Sequence, residues 1–332
     1  MKIFLIVILT FSFTLTLKGQ DSHLSQYYGA PLYLNPAMNG IFNGNFRVTG
    51  QYRSQWKSVT VPFVTTGLSY DMKFNKFSAG INIINNRAGF GNFNVLNGLL
   101  NGAYDLALDS NKFHHISFGV QGGLVQKSID WYKLYWDNQY VKGNGGGIDL
   151  SEGSGENFAN TSSLVPDLNL GFVWYYNKPK SRLNPFLGAA VFHLTEPNET
   201  FFTNTTTLYR RFIVHGGLKI NINELWQFTP MFSVMQQGNF NDLSINLITH
   251  YYLKESNSLL LFGPTYRVNR GNRDALVFHT GLKKGKFTYR LSYDVNTSIL
   301  GALSKGQGGM EFTLQYIGIL MPSFPKYACP RL

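Results

Sequence analysis

Apolar and polar residues alternate with a period of two along most of this chain. From Lys286 to Val295, Phe287, Tyr289, Leu291, Tyr293 and Val295 fall on one face, and Thr288, Arg290, Ser292 and Asp294 on the other. Met310, Phe312, Leu314 and Tyr316 likewise oppose Glu311, Thr313 and Gln315, and Phe46, Val48, Gly50 and Tyr52 oppose Arg47, Thr49, Gln51 and Arg53. Phe212 to Ile222 repeats the pattern, with His215, Lys219 and Asn221 on its polar face. Such alternation predicts strands, because successive Cβ atoms point to opposite sides of a sheet. About fourteen segments show it, near 45–56, 63–74, 77–87, 93–108, 115–128, 163–176, 184–193, 211–222, 226–236, 242–253, 258–267, 274–283, 286–295 and 309–321. Many run about 10–12 residues, the length a tilted strand needs to cross a bilayer. The fold class predicted is all-β: an antiparallel transmembrane β-barrel of about fourteen strands, with a short N-terminal periplasmic or plug segment.

The links between segments divide into two kinds. Asn75-Lys76, Ile222-Asn223-Glu224 and Lys284-Gly285 are tight, whereas Ile129–Ser162, Glu196–Tyr209 and Thr297–Gly308 are long and rich in Gly, Asn, Ser or Thr. Short turns on one rim and long loops on the other are what an outer-membrane barrel has. An even strand count puts both termini on the periplasmic side and the long loops outside. Pro230 and Pro264 fall inside predicted strands, where a missing N–H interrupts the ladder, and each predicts a bulge or bend. Asp21–Asn43 lacks alternation and is broken by Pro31 and Pro36, so it is expected to pack under or inside the barrel.

Composition supports a membrane barrel over a soluble domain. Aromatic residues make up 15% and charged residues 14%, against about 25% charged in an ordinary soluble domain. No apolar run after the first twenty residues approaches the ~20 that a membrane helix needs. The start itself reads as a secretory leader: Lys2, an apolar run from Ile3 to Leu17, then Lys18-Gly19-Gln20, with cleavage expected near Gly19. No Cys lies near that point, which excludes a lipoprotein anchor. The domains expected are a signal peptide over 1–19, the N-terminal segment over 20–44, the barrel over 45–321 and a periplasmic tail over 322–332. The formal charge is +11, and losing Lys2 and Lys18 leaves +9. The basic residues are scattered singly, so outer-membrane lipid head groups or an acidic protein are the expected partners, and nucleic acid is not.

Motifs for catalysis are missing: there is no H-E-x-x-H, C-x-x-C, G-x-S-x-G or P-loop. His114-His115 has no third metal ligand placed nearby, and neither metal nor cofactor is expected. His193, His215, His250 and His279 fall in predicted strands, the last three on the lumen face, without a Ser and carboxylate at matched depth. The chain is therefore not expected to be an enzyme. Arg47, Arg53, Asp71, Lys73, Lys219, Arg290, Asp294 and Glu311 all project into the lumen by parity. Buried charges must be paired or hydrated. These residues predict either ion pairs that fill a narrow barrel or a polar path for a solute or peptide.

Several short motifs recur in a fixed order: Asn35-Pro36-Ala37; Tyr52-Arg53-Ser54-Gln55-Trp56; Ser69-Tyr70-Asp71; Tyr293-Asp294; Glu311-Phe312; and Cys329-Pro330-Arg331 near the end. In this order and spacing the chain resembles the PorP/SprF family of Bacteroidota outer-membrane proteins. It departs in Met310, where the family often has His, and in its last residue, Leu332. The resemblance implies a barrel of the type IX secretion and gliding motility system. One branch resembles a dedicated partner for a large secreted adhesin with a C-terminal sorting domain. The other resembles a machinery component bound to a periplasmic, peptidoglycan-linked lipoprotein. Asn35, Pro36, Ala37, Tyr52, Arg53, Gln55, Trp56, Asp71, Asp294, Glu311, Cys329, Pro330 and Arg331 are the candidate structural or partner-binding residues. Arg53 is expected to pair inside the barrel, and Trp56 to sit in an aromatic girdle.

Overall fold

A computed structural model describes residues 21–319, apart from 59, 143–145, 157–159, 202–206, 270–271, 299–300 and 302–303. The predicted leader and tail, including Cys329, Pro330 and Arg331, lie outside the described residues. Fourteen antiparallel strands close into a barrel: β1 Phe46–Gln55, β2 Phe63–Phe74, β3 Phe77–Ala88, β4 Phe93–Ala107, β5 His114–Ser128, β8 Ser162–Tyr176, β9 Leu183–Phe192, β10 Arg211–Asn221, β11 Trp226–Gln237, β12 Phe240–Leu253, β13 Ser258–Asn269, β14 Asn272–Lys284, β15 Phe287–Asn296 and β16 Gln307–Gly318. A small hairpin, β6 Tyr140–Val141 with β7 Gly147–Ile148, decorates the longest loop. Each barrel strand pairs with its neighbour in sequence, and β1 closes the sheet against β16.

Alternation places apolar residues outward and polar ones inward. On β15, Tyr293 is 46% exposed and Asp294 1%. Lipid, not protein, covers the outer face of such a barrel, so exposed Leu, Phe and Tyr are what its solvent demands. Aromatic pairs cluster at the tight-turn end: Phe46 meets Tyr70 and Tyr316, Phe77 meets Tyr104, Phe287 meets Tyr316, and Trp226 meets Tyr251. They form an interfacial girdle on that rim.

The prolines act differently from expectation. Neither shifts the register. Pairing between β10 and β11 lapses after Gly217–Met231 and resumes in the same register at Ile220–Phe228, across Pro230. Pairing of β12 with β13 lapses likewise between Asn246–Thr265 and Thr249–Phe262, across Pro264. Each ring lacks the N–H its neighbour needs, and both prolines face outward, so the gap is local. The actual register shifts fall at Arg267/Val268 and Asp294/Val295.

Candidate functional site in the plugged lumen

Residues 21–45 run lengthwise through the barrel. At the end bearing the long loops, the Asp21 backbone N–H donates to Gln237 Oε1 at 2.9 Å. At the tight-turn end, Asn45 N–H donates to the Gly318 carbonyl at 2.9 Å. The strand ends thus lie where parity places them, but the chain before β1 turns back up the lumen. Its described start sits at the long-loop mouth rather than on the periplasmic side. Between these ends lie three short helical turns, Tyr27–Gly29, Pro31–Leu34 and Pro36–Met38. Pro31 and Pro36 each occupy a first-turn position, where the lost N–H has no helical partner to miss. Leu34 packs on Ala190, Phe192 and Ile213, a small apolar core between plug and wall.

The Asn35-Pro36-Ala37 motif is the plug's central docking point. Asn35 Oδ1 accepts from Ala37 N–H at 2.8 Å and caps the following turn. Its Nδ2 donates to the carbonyls of Phe172 (3.0 Å) and Ala189 (3.1 Å), with His215 Nε2 at 3.1 Å. Two wall glycines make the approach possible. A Cβ on Gly119 would lie 2.3 Å from Ala37 N, and one on Gly171 2.0 Å from Asn35 Oδ1. The wall is notched where the motif lies against it.

Two buried ion-pair groups pin the plug above and below. Arg47 and Asp71 face each other across β1 and β2 and pair bidentately at 2.8 and 2.6 Å. Asp71 Oδ2 also accepts from Gly40 N–H at 2.9 Å, and Arg47 donates to the Met38 carbonyl at 3.1 Å. Near the other end, Arg53 pairs with Glu311 at 3.0 Å and with Asp294 at 2.8 Å. Glu311 accepts from the backbone N–H groups of Ser25 (2.8 Å) and Gln26 (3.2 Å). Ser25 Oγ donates to Asp294 at 2.7 Å and accepts from Arg53 and from Arg267. Arg267 holds Asp274 as well, the residue extruded by the β13–β14 bulge; such an irregularity re-aims a side chain.

At the mouth, His193 is buried beside Asp21 (2.7 Å) and Asp167 (3.1 Å), and Arg211 reaches Asp21 at 3.0 Å. Burial opposes charge on both partners, but the pair overcomes it. Asp21, held by His193 and Arg211, stays well below the usual carboxylate range. His193 is pushed up to about 9 by the Asp21 charge and its bond to Asp167. The β9–β10 loop folds over this point: Glu199 pairs with Lys127 of β5, and Phe201 meets Phe93 of β4 edge to face. Beneath it lies a cavity of about 590 Å³, floored by plug residues Asp21, Ser22, His23 and Tyr33.

The structure brings Asn35, Pro36, Ala37, Arg53, Asp71, Asp294 and Glu311 together as plug contacts. Tyr52 instead points outward, 43% exposed against 1% for Arg53. Gln55 lies against His23, and Trp56 packs edge to face on Phe63 at the long-loop rim. His193, expected in a strand, is the first residue beyond β9 and adopts a left-handed φ of 58°. Lys219 and Arg290 lie apart from both networks. Parity alone could have flagged Arg211, Asp242 and Arg267; Ser25 and Asp21 carried no signal, and Asp274 was hidden by its bulge.

Solved structures share the barrel shape. The Ralstonia pickettii toluene transporter TbuX superposes with a TM-score of 0.50 at 9% identity, covering 87% of this chain and 94% of the transporter. The monoaromatic hydrocarbon channel CymD gives 0.49 at 11% identity, covering 88% and 93%. At 9% identity the likeness to the toluene transporter is one of fold. No curated protein matches the sequence. Residues 16–316 match the family described as type IX secretion system membrane protein PorP/SprF. A closed fourteen-strand barrel with an apolar outer face, carrying that family's sequence over nearly its whole length, is a multi-pass outer-membrane protein, and the chain belongs to the PorP/SprF family of the type IX secretion system.

Proposed function

We propose that this barrel is a non-enzymatic holder that exports or anchors one cognate secreted adhesin with a C-terminal sorting domain. The observation that carries the reading is the plug, which runs from rim to rim and is fixed by buried ion pairs at both levels. A lumen filled in this way offers a rigid receptor at its rims and poor passage for solutes. The family motifs serve that rigidity: Asn35-Pro36-Ala37 seats the plug, and Arg53, Asp71, Asp294 and Glu311 lock it. Gene deletion tests the idea. Loss of surface display of a single secreted protein is expected. Loss of every type IX cargo would favour a machinery component bound to a periplasmic lipoprotein. Unchanged display of all cargo would overturn both, and strong single-channel conductance in a planar bilayer would favour a porin.

A further inference from the structure

The cavity above the plug has two unlike walls. One carries the apolar side chains of Ile84 on β3 and Phe93, Val95 and Leu99 on β4, with Asn82, Asn86 and Asn97 among them. The other carries Asp242 on β12, which stands across the barrel from β4, six strands away one way and eight the other. Asp167 on β8 lines the cavity between them. At about 590 Å³ the space falls within the usual range of ligand pockets.

Most of the charges lining it find a partner of opposite sign, and one buried carboxylate does not. Asp21 is taken by His193 and Arg211, Lys127 by Glu199, and Asp274 by Arg267. Arg87 is engaged by Asn92 at the rim. Asp242 has no ion-pair partner among the described residues, and its Oδ1 is buried without a hydrogen bond. Asp167, by contrast, is paired with His193, whose Nδ1 stands 3.1 Å from its Oδ2. The Asp242 carboxylate is only 7% exposed. A buried carboxylate without donors is costly, so the cavity is electrostatically incomplete when empty. An ammonium or guanidinium group supplies the missing charge and N–H donors. A neutral or anionic ligand does not.

We propose that this vestibule captures a basic side chain, Lys or Arg, on an extended peptide segment whose neighbouring apolar side chain lies on the Ile84–Leu99 wall. The plug closes the cavity below, so its occupant is retained and not passed through. That the peptide belongs to the secreted partner rests on the adhesin-holder reading above. The capture chemistry does not.

The test uses the full barrel in detergent and three capped pentapeptides, Gly-Leu-Lys-Phe-Gly and its Gln and Glu counterparts at the central position, measured by calorimetry. The Lys peptide is expected to bind at least about tenfold tighter than the Gln peptide. Asp242→Asn, checked for folding by heat-shifted gel mobility, is expected to erase most of that preference. Equal Lys and Gln affinities, tighter binding of the Glu peptide, no binding of any of the three, or a preference intact in folded Asp242→Asn would each overturn the proposal. Because binding is read on the purified barrel, its failure is separable from an unchanged cargo profile in the deletion strain.

Discussion

Replacing Arg53 by Ala strikes the plug at its most heavily bonded point. Arg53 is almost fully buried and contacts Asp294, Glu311 and Ser25 together. After its removal Asp294 keeps Arg267 at 3.2 Å, but among the described residues Glu311 keeps only the backbone N–H groups of Ser25 and Gln26. Breaking a buried pair from one side costs about 3–5 kcal/mol, chiefly because the other charge is stranded. The loss corresponds to roughly two to nearly four powers of ten in the folding equilibrium. Removing both partners, as Arg53→Met with Glu311→Leu, is expected to cost clearly less, since no charge is then left without a mate. The assay is urea unfolding of the barrel in lipid vesicles, followed by tryptophan fluorescence, for the wild type, Arg53→Ala, Arg53→Met, Glu311→Leu and the double. A Glu311→Leu loss similar to that of Arg53→Ala, and a double variant milder than either, is the expected pattern. If Arg53→Ala lies within about 0.5 kcal/mol of the wild type, or the losses of Arg53→Met and Glu311→Leu simply add in the double, the network does not hold the plug as argued.

Gly119→Val puts side-chain atoms where Ala37 N now sits, so the plug should be displaced, costing about 1–3 kcal/mol and raising single-channel conductance in a planar bilayer. Unchanged conductance and stability would mean the notch is not needed. Because Asp21 lies at the long-loop mouth, Ser22→Cys in a Cys329→Ser background should react with a membrane-impermeant maleimide on intact cells; labelling only after outer-membrane permeabilisation would reverse the plug's direction. His193 has a folded-state value near 9, above its ordinary 6.5, so its pairing with Asp21 and Asp167 contributes stability that is fully present below about 6.5 and lost as pH rises through about 9. Urea stability should therefore decline between pH 7 and 10 more steeply in the wild type than in His193→Gln, and parallel profiles would sink that assignment.

Strand number, strand position and the outward apolar face were legible from alternation, because a period of two is local and lipid demands the same residues at every strand. The lumenal charges were legible too, as a set: Arg47, Asp71, Arg53, Asp294 and Glu311 share a parity. Their pairing was only half so. Arg53 and Glu311 are 258 residues apart and meet because β16 closes on β1, a contact created by barrel closure and by no nearby sequence signal. The plug was less legible still. Residues 21–45 have no repeating pattern, since a segment filling an irregular lumen meets a different wall at each position. Ser25 and Asp21 acquire roles only from the side chains that surround them. The sequence by itself determined a membrane barrel with a polar interior. Tertiary structure decided that the interior is filled from rim to rim, and left Asp242 buried above the plug without an ion-pair mate among the described residues, because both follow from which distant strands the closed sheet brings to the same depth.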